Sequence, residues 1–175
     1  IGATTKLSNL TNPLRDRFGN VLKLDFYEVS DLEKIVARSF QILGHPIENT
    51  EPLTAVATRS RGTPRIANRY VKILRDYATV GKNIDSRAEC DAIFETFGVD
   101  TMGLDLLDRK LMKHLLETFH GAPVGLSTLA SVIGEEVATI EDVVEPYLLQ
   151  IGFLERTPRG RKITPKGEVY MRSLS

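Results

Sequence analysis

The chain has 175 residues, 42% hydrophobic and 26% charged, with 23 basic residues balancing 23 acidic ones. That composition excludes a disordered tail as the default and leaves room for one domain or two small ones. No apolar run approaches the roughly 18 residues needed to span a membrane, and the first residues show neither a charged leader nor a cleavage site, so a cytoplasmic protein is expected.

The opening Ile1-Gly2-Ala3-Thr4-Thr5 reads as the end of a buried strand whose partners lie upstream, so the chain is expected to begin inside a domain. Asn12 can cap a short helix with Pro13 at its first position and Gly19 beyond its end, and Val21, Leu22, Leu24 and Phe26 predict a strand. Ser30 and Glu33 match a capping box for a helix carrying Leu32, Ile35, Val36, Phe40 and Leu43 and ending at Gly44. Further helices are predicted from Glu51 to Thr58, from Pro64 to Thr79, and from Asp85 or Ser86 to Gly98. The second of these carries Ile66, Tyr70, Ile73, Leu74 and Tyr77 on one stripe, and short helices with facing stripes make a small bundle. Cys90 falls in step with Ile93, Phe94 and Phe97, which predicts a core position; a lone cysteine forms neither an internal disulfide nor a zinc cluster.

The pattern restarts after Gly103. A helix from Asp105 to Phe119 carries Leu106, Leu107, Leu111, Leu115 and Phe119; Ser127 opens a short helix ending at Gly134; Thr139 opens another through Leu149, with Glu141 and Asp142 against its positive end. Phe153 to Arg156, the turn Thr157-Pro158-Arg159-Gly160, and Arg161 to Ile163 read as a hairpin, after which Thr164-Pro165 starts a closing helix. Three helices and a hairpin are the layout of a winged helix. The fold class expected is mainly α with a small β component.

Charge is segregated along this neutral chain. Arg59, Arg61, Arg65, Arg69, Lys72 and Arg75 form an acid-free stretch, and so do Arg156, Arg159, Arg161, Lys162 and Lys166, while Glu135 to Glu145 holds acids and no base. Basic clusters in tight turns are candidate phosphate footprints, with solvated surface as the alternative. In Arg15-Asp16-Arg17, a guanidinium fixed beside Phe18-Gly19 could reach across an interface to a phosphoryl group, the chemistry of an arginine finger; otherwise the run is solvated surface. Arg61-Gly62-Thr63-Pro64-Arg65 opens a helix whose N-terminal amides and Arg65 suit an anion, a weak signal by itself. The hairpin tip with Arg156, Arg159 and Arg161 suits duplex backbone. The helix that would enter a major groove instead carries Glu141, Asp142 and Glu145, which phosphates repel. No metal site is expected, because His45, His114 and His120 have no metal-ligand spacing.

Gly2-Ala3-Thr4-Thr5, Pro13 to Gly19, Arg61 to Arg69, Pro123-Val124-Gly125-Leu126, Thr139 to Val143, Glu145-Pro146-Tyr147-Leu148 and Arg156 to Arg161, in this order and spacing, resemble the RuvB family of bacterial Holliday-junction branch-migration motors. The resemblance implies a remnant of an AAA+ α/β domain over residues 1–27, a helical AAA+ lid over 28–98 and a winged-helix DNA-binding head over 101–175. It implies Thr4 or Thr5 as the sensor beside the γ-phosphate, Arg17 as the trans-acting finger, Tyr27 as a nucleotide contact and Arg65 as the lid's sensor arginine. Arg156 and Arg161, with Arg159 as accessory, match the head's DNA contacts. Relatives often carry an Arg where this chain has Val137, and no DNA contact is assigned there. The implied cofactors are ATP or ADP with Mg2+. The implied partners are duplex DNA and the Holliday junction, RuvA, RuvC in the resolving complex, and a hexameric ring of like subunits, in recombination, repair and the SOS response. The Walker A loop, the magnesium-binding acids and the RuvA-contacting segment are expected upstream, so this chain alone is expected not to hydrolyse ATP. The alternatives are a winged-helix transcriptional regulator with a helical effector or dimerisation domain, and a head used for protein interaction.

Overall fold

The structure, a computed structural model, describes residues 2–4 and 10–174. After α1 (Asn12–Arg15), a bundle is formed by α2 (Val29–Ile42), α3 (Thr50–Arg59), α4 (Pro64–Thr79) and α5 (Arg87–Thr96). Its core is built on Leu32, Val36, Phe40, Ala55, Val56, Tyr70, Val71, Leu74, Cys90 and Phe94, the helical stripes turned inward. Cys90 is fully buried, its Sγ 3.4 Å from the Ile84 carbonyl oxygen, and burial pushes its thiol up to about 12. It is a packing residue.

A second core gathers Leu104, Leu111, Leu115, Leu129, Ile133, Ile140, Val144, Leu148, Phe153 and Ile163. It is enclosed by α6 (Leu106–Lys113), extended by a π-helical turn at His114–Thr118, by α7 (Leu126–Ile133), and by α8 (Val137–Thr139), which runs through a π turn at Ile140–Val144 into α9 (Glu145–Gln150). The hairpin of β1 (Leu154–Thr157) and β2 (Gly160–Ile163) follows, then α10 (Pro165–Ser173). The strands pair antiparallel, Leu154 with Ile163 and Arg156 with Arg161, and Val124 bridges Arg161 on the other edge of β2. Gly160 lies under that bridge at φ 132°, where any Cβ would collide with the Val124 carbonyl. The chain is thus mainly helical with one small sheet: a helical lid joined to a winged-helix head.

Several local expectations fail for identifiable reasons. Val21 to Phe26 form no strand, and among the described residues no neighbouring backbone pairs with them; Leu22 and Leu24 are 84% and 91% exposed. Gly2, Ala3 and Thr4 are likewise exposed and irregular. Asn12 is the first residue of α1 rather than its cap, a position taken by Thr11. The capping box at Ser30 is replaced by a start at Val29 with Glu28 as cap residue, since Glu33 turns outward from its own helix to accept a 2.6 Å hydrogen bond from Thr54 on α3. In the head, α7 begins at Leu126 with Gly125 as cap, one residue before Ser127. The next helix starts at Val137 rather than Thr139. Its π turn precedes Pro146, which has no amide proton and whose ring crowds the carbonyl four residues back; a widened turn relieves both.

Arg59, counted by sequence among the phosphate-facing bases, is 1% exposed inside the lid. It donates to Asp91 at 2.6 Å and to the Ala55 carbonyl at 3.0 Å, and lies 4.7 Å over the Phe94 ring. A buried guanidinium without its carboxylate is costly. Replacing Asp91 by Ala should therefore destabilise the lid by on the order of 2 kcal/mol, less than the about 3–5 kcal/mol of a fully enclosed pair because Asp91 is 28% exposed. Calorimetry should show the loss in the transition assigned to the bundle and not in that of the head.

Candidate nucleotide edge and DNA-binding wing

The turn between α3 and α4 organises the lid's exposed edge. Ser60 accepts from the Thr63 amide at 2.9 Å, and the Gly62 carbonyl accepts from the Tyr27 amide at 2.9 Å, pinning the otherwise irregular segment before α2. Tyr27 is 50% exposed beside it. Pro64 opens α4, and Arg65 in its first turn is exposed, with no side-chain partner among the described residues. Arg69 and Lys72 follow on the same exposed face, Arg69 lying 5.1 Å over the Tyr70 ring. Of the six bases in this stretch these three are exposed, whereas Arg59 is buried, Arg75 pairs with Asp76, and Arg61 turns elsewhere.

Arg61 corrects the sequence-based picture of one phosphate-facing cluster. Its backbone is left-handed at φ 51°, a conformation that costs a non-glycine residue about 1–2 kcal/mol. Its side chain, 13% exposed, leaves the lid for the head: Nε donates to the Gly103 carbonyl at 2.8 Å and Nη2 to Asp108, with Asp105 further off at 3.5 Å. The guanidinium also lies 4.8 Å over the Tyr147 ring. Burial pushes Asp108 up to about 6; Arg61 opposes that rise and Asp105 adds to it.

Arg17 is exposed at the end of α1, and Gly2 is close enough to Phe18 that an added Cβ would lie 3.2 Å from its ring. The Gly2–Thr4 segment and the Arg17 turn therefore share one edge, with Thr4 exposed; Thr5 lies outside the described residues.

At the wing, the acid expected to repel phosphate proves to be the anchor. Glu145 is fully buried, and both of its oxygens accept paired hydrogen bonds, from Arg156 Nε and Nη2 at 2.9 and 3.1 Å and from Arg161 Nε and Nη2 at the same distances. Two guanidinium forks thus clamp one carboxylate. Burial alone would push Glu145 up, but the two arginines outweigh it and hold its carboxyl below the ordinary range. Arg156 remains 55% exposed and Arg161 19% exposed, while the Arg159 side chain stands free at the turn, whose backbone is tied through Thr157. Glu141 and Asp142 are exposed on the preceding turn, and Val137 is 42% exposed. Among the described residues no cluster of three His, Cys, Asp or Glu could hold a metal; His114 bonds Thr118 at 3.0 Å instead.

Glu145 and Tyr147 were missed as functional residues, although their spacing was informative. Ile140, Val144, Glu145, Tyr147 and Leu148 share the buried stripe of one helix, and an acid on that stripe requires a cationic partner.

A helical lid with an exposed arginine in the first turn of α4 is thus followed by a winged-helix head that carries two arginines clamped on a buried glutamate. A family profile described as the RuvB AAA lid domain matches residues 27–100, and one described as the RuvB C-terminal winged helix domain matches 101–172. The chain is 57% identical over 166 residues to a protein of Synechococcus sp. (strain JA-3-3Ab) named Holliday junction branch migration complex subunit RuvB 2, and 56% identical over 168 residues to RuvB 1 of the same organism. These alignments cover 94% of this chain and 45% and 44% of those proteins. The solved structure of the Thermotoga maritima RuvB Holliday junction branch migration motor superposes with a TM-score of 0.83 at 44% identity, over 93% of this chain and 55% of that one. The chain belongs to the RuvB family, and it spans about half the length of the relatives it matches.

Because Glu145 titrates below its unfolded value, the clamp contributes stability above an unfolded carboxyl value of about 4.3, and that contribution is lost as pH falls through the folded value. Head stability measured against pH for the native chain and for Glu145→Gln should differ clearly near neutrality and converge in acid.

Proposed function

We propose that this chain is the lid and head of a subunit of a ring-forming AAA+ motor that uses ATP to drive branch migration of Holliday junctions, with the wing gripping duplex backbone. The observation that carries this reading is the clamp of Arg156 and Arg161 on buried Glu145, with Arg159 free at the tip. It makes a fixed cationic ridge, so little side-chain entropy is lost when phosphates are met. Contacts of this kind position the protein on DNA without reading sequence, as a motor that must traverse any sequence requires.

The motor's cofactors would be ATP and ADP with Mg2+. The lid edge fits part of such a site: Tyr27 is tied to the Gly62 turn, and Arg65 offers an exposed guanidinium at a helix start. Tyr27 and Arg65 would hold the subunit's own nucleotide, Arg17 would reach that of a neighbouring subunit, and Thr4 or Thr5 would sense the γ-phosphate. When bound, the nucleotide supplies the phosphoryl-transfer chemistry that drives the cycle. The sequence contains Gly-Lys only at Gly81-Lys82, before Asn83, so we assign hydrolysis to the longer protein rather than to this chain alone. The same reading takes RuvA and RuvC as partners, a hexamer as the working assembly, the cytoplasm as its place, and recombination, repair and the SOS response as its setting.

Arg156→Ala with Arg159→Ala leaves the Arg161 fork on Glu145 and so tests the wing without orphaning a buried acid. Junction and duplex binding titrated against salt should weaken, and the log–log salt slope should flatten by about 2, one unit for each lost phosphate contact. Unchanged affinity and slope would remove the wing from the DNA interface.

A further inference from the structure

We propose that Arg61 is a positioning residue that makes the DNA-binding head turn together with the lid's nucleotide-facing edge. The inference rests on the functional reading above and assigns a role to a residue outside both of its sites. The backbone of Arg61 belongs to the turn that holds Tyr27 through the Gly62 carbonyl and leads, four residues on, to Arg65. Its side chain belongs to the head. The guanidinium uses one edge on the Gly103 carbonyl and Asp108 and lays its face on Tyr147.

Every group it touches is itself fixed. Gly103 sits at φ 77°, so close to Arg59 that a Cβ there would collide with the Arg59 carbonyl. Asp108 accepts from the Asp105 amide at 2.9 Å in the capping box of α6, and the Tyr147 hydroxyl donates to the Met102 carbonyl at 2.6 Å. The connection between the two cores is shortened by Asp100, which accepts from the amides of Met102 and Leu104 at 2.9 and 2.8 Å. Tyr147 lies two residues from Glu145 on α9, and Glu145 holds both wing arginines. A displacement of the Gly62 turn therefore reaches the wing through one stacked cation and one short helix. Water has little access to replace these contacts, since Arg61 is 13% exposed and Asp108 1%. Lysine would keep the charge but lose both the fork and the flat face.

The test has two arms. In this chain, spin labels at Lys82→Cys and Glu135→Cys, exposed positions on lid and head, report the distance between the domains; Cys90 is buried and stays unlabelled. A narrow distribution should broaden in Arg61→Ala. It should broaden equally in the double variant Arg61→Met with Asp108→Asn, which leaves no buried charge orphaned if the single variant folds poorly. In a full-length motor subunit carrying this chain, the same double variant should slow junction migration about tenfold, within the usual range of coupling between sites. ATP turnover without DNA and duplex affinity should change less than about twofold, and Arg61→Lys should restore migration only in part. An unchanged distance distribution in the folded double variant overturns the proposal, as does a broadened one with migration intact. If the native protein binds no duplex, the functional reading fails, while the distance measurement still decides whether Arg61 clasps the head.

Discussion

A guanidinium withdrawn from water must find a carboxylate or a carbonyl, and among the described residues three acid-anchored clusters meet that constraint at the points where the parts join, alongside Arg109 on the Gly98 carbonyl. Arg59 closes the lid on Asp91, Arg61 closes the lid on the head, and Arg156 with Arg161 closes the wing on Glu145. In each case removing the acid would strand a cation in a poorly solvated place, so each pairing is exacting in geometry even where its net contribution is modest. Apolar burial supplies the two cores; these paired charges fix how the pieces are oriented.

That division of labour explains what was legible in the sequence. The apolar stripes of α2, α4 and α5 and the turn at Pro158 could be read directly, because helical period and turn chemistry are local. So could the hairpin and the helix opened by Thr164-Pro165. Val21 to Phe26 show the limit: alternation alone predicts a strand, but a strand also needs a partner backbone. Leu22, Leu24 and Phe26, in the segment before α2, are exposed.

The charges were harder to read, for a physical reason. Arg59, Arg61 and Arg65 lie within seven positions and look alike in sequence, yet the first is buried, the second bridges two domains and the third is exposed. Their fates depend on Asp91, Asp108 and Tyr147, which lie far along the chain and become neighbours only when both cores have formed. Glu145 misled in the opposite direction. Counted as one of a run of acids, it suggested repulsion of phosphate, whereas its burial makes it the group that fixes the two guanidinium forks; Glu141 and Asp142, from the same run, do face solvent. For Arg17 and Arg65 the residues alone left a surface reading open beside a phosphate-facing one, and Tyr27 carried no signal of its own; the nucleotide roles proposed for all three rest on the family resemblance.

The widened turn at Ile140–Val144 has a consequence for how this half of the molecule can vary. A π turn takes up about one residue more than an α turn, and each residue advances an α-helix by about 100°. Glu145 meets the wing and Tyr147 meets the lid because that extra residue sets the rotational phase of α9 relative to α8. Loss or gain of a single residue between Val137 and Val144 would swing the anchor for both guanidinium forks away from the wing while sparing the apolar character of the helix. Length is therefore locked along this helix in a way that it is not in the surface loops, and related chains should accept insertions in those loops before they accept one here.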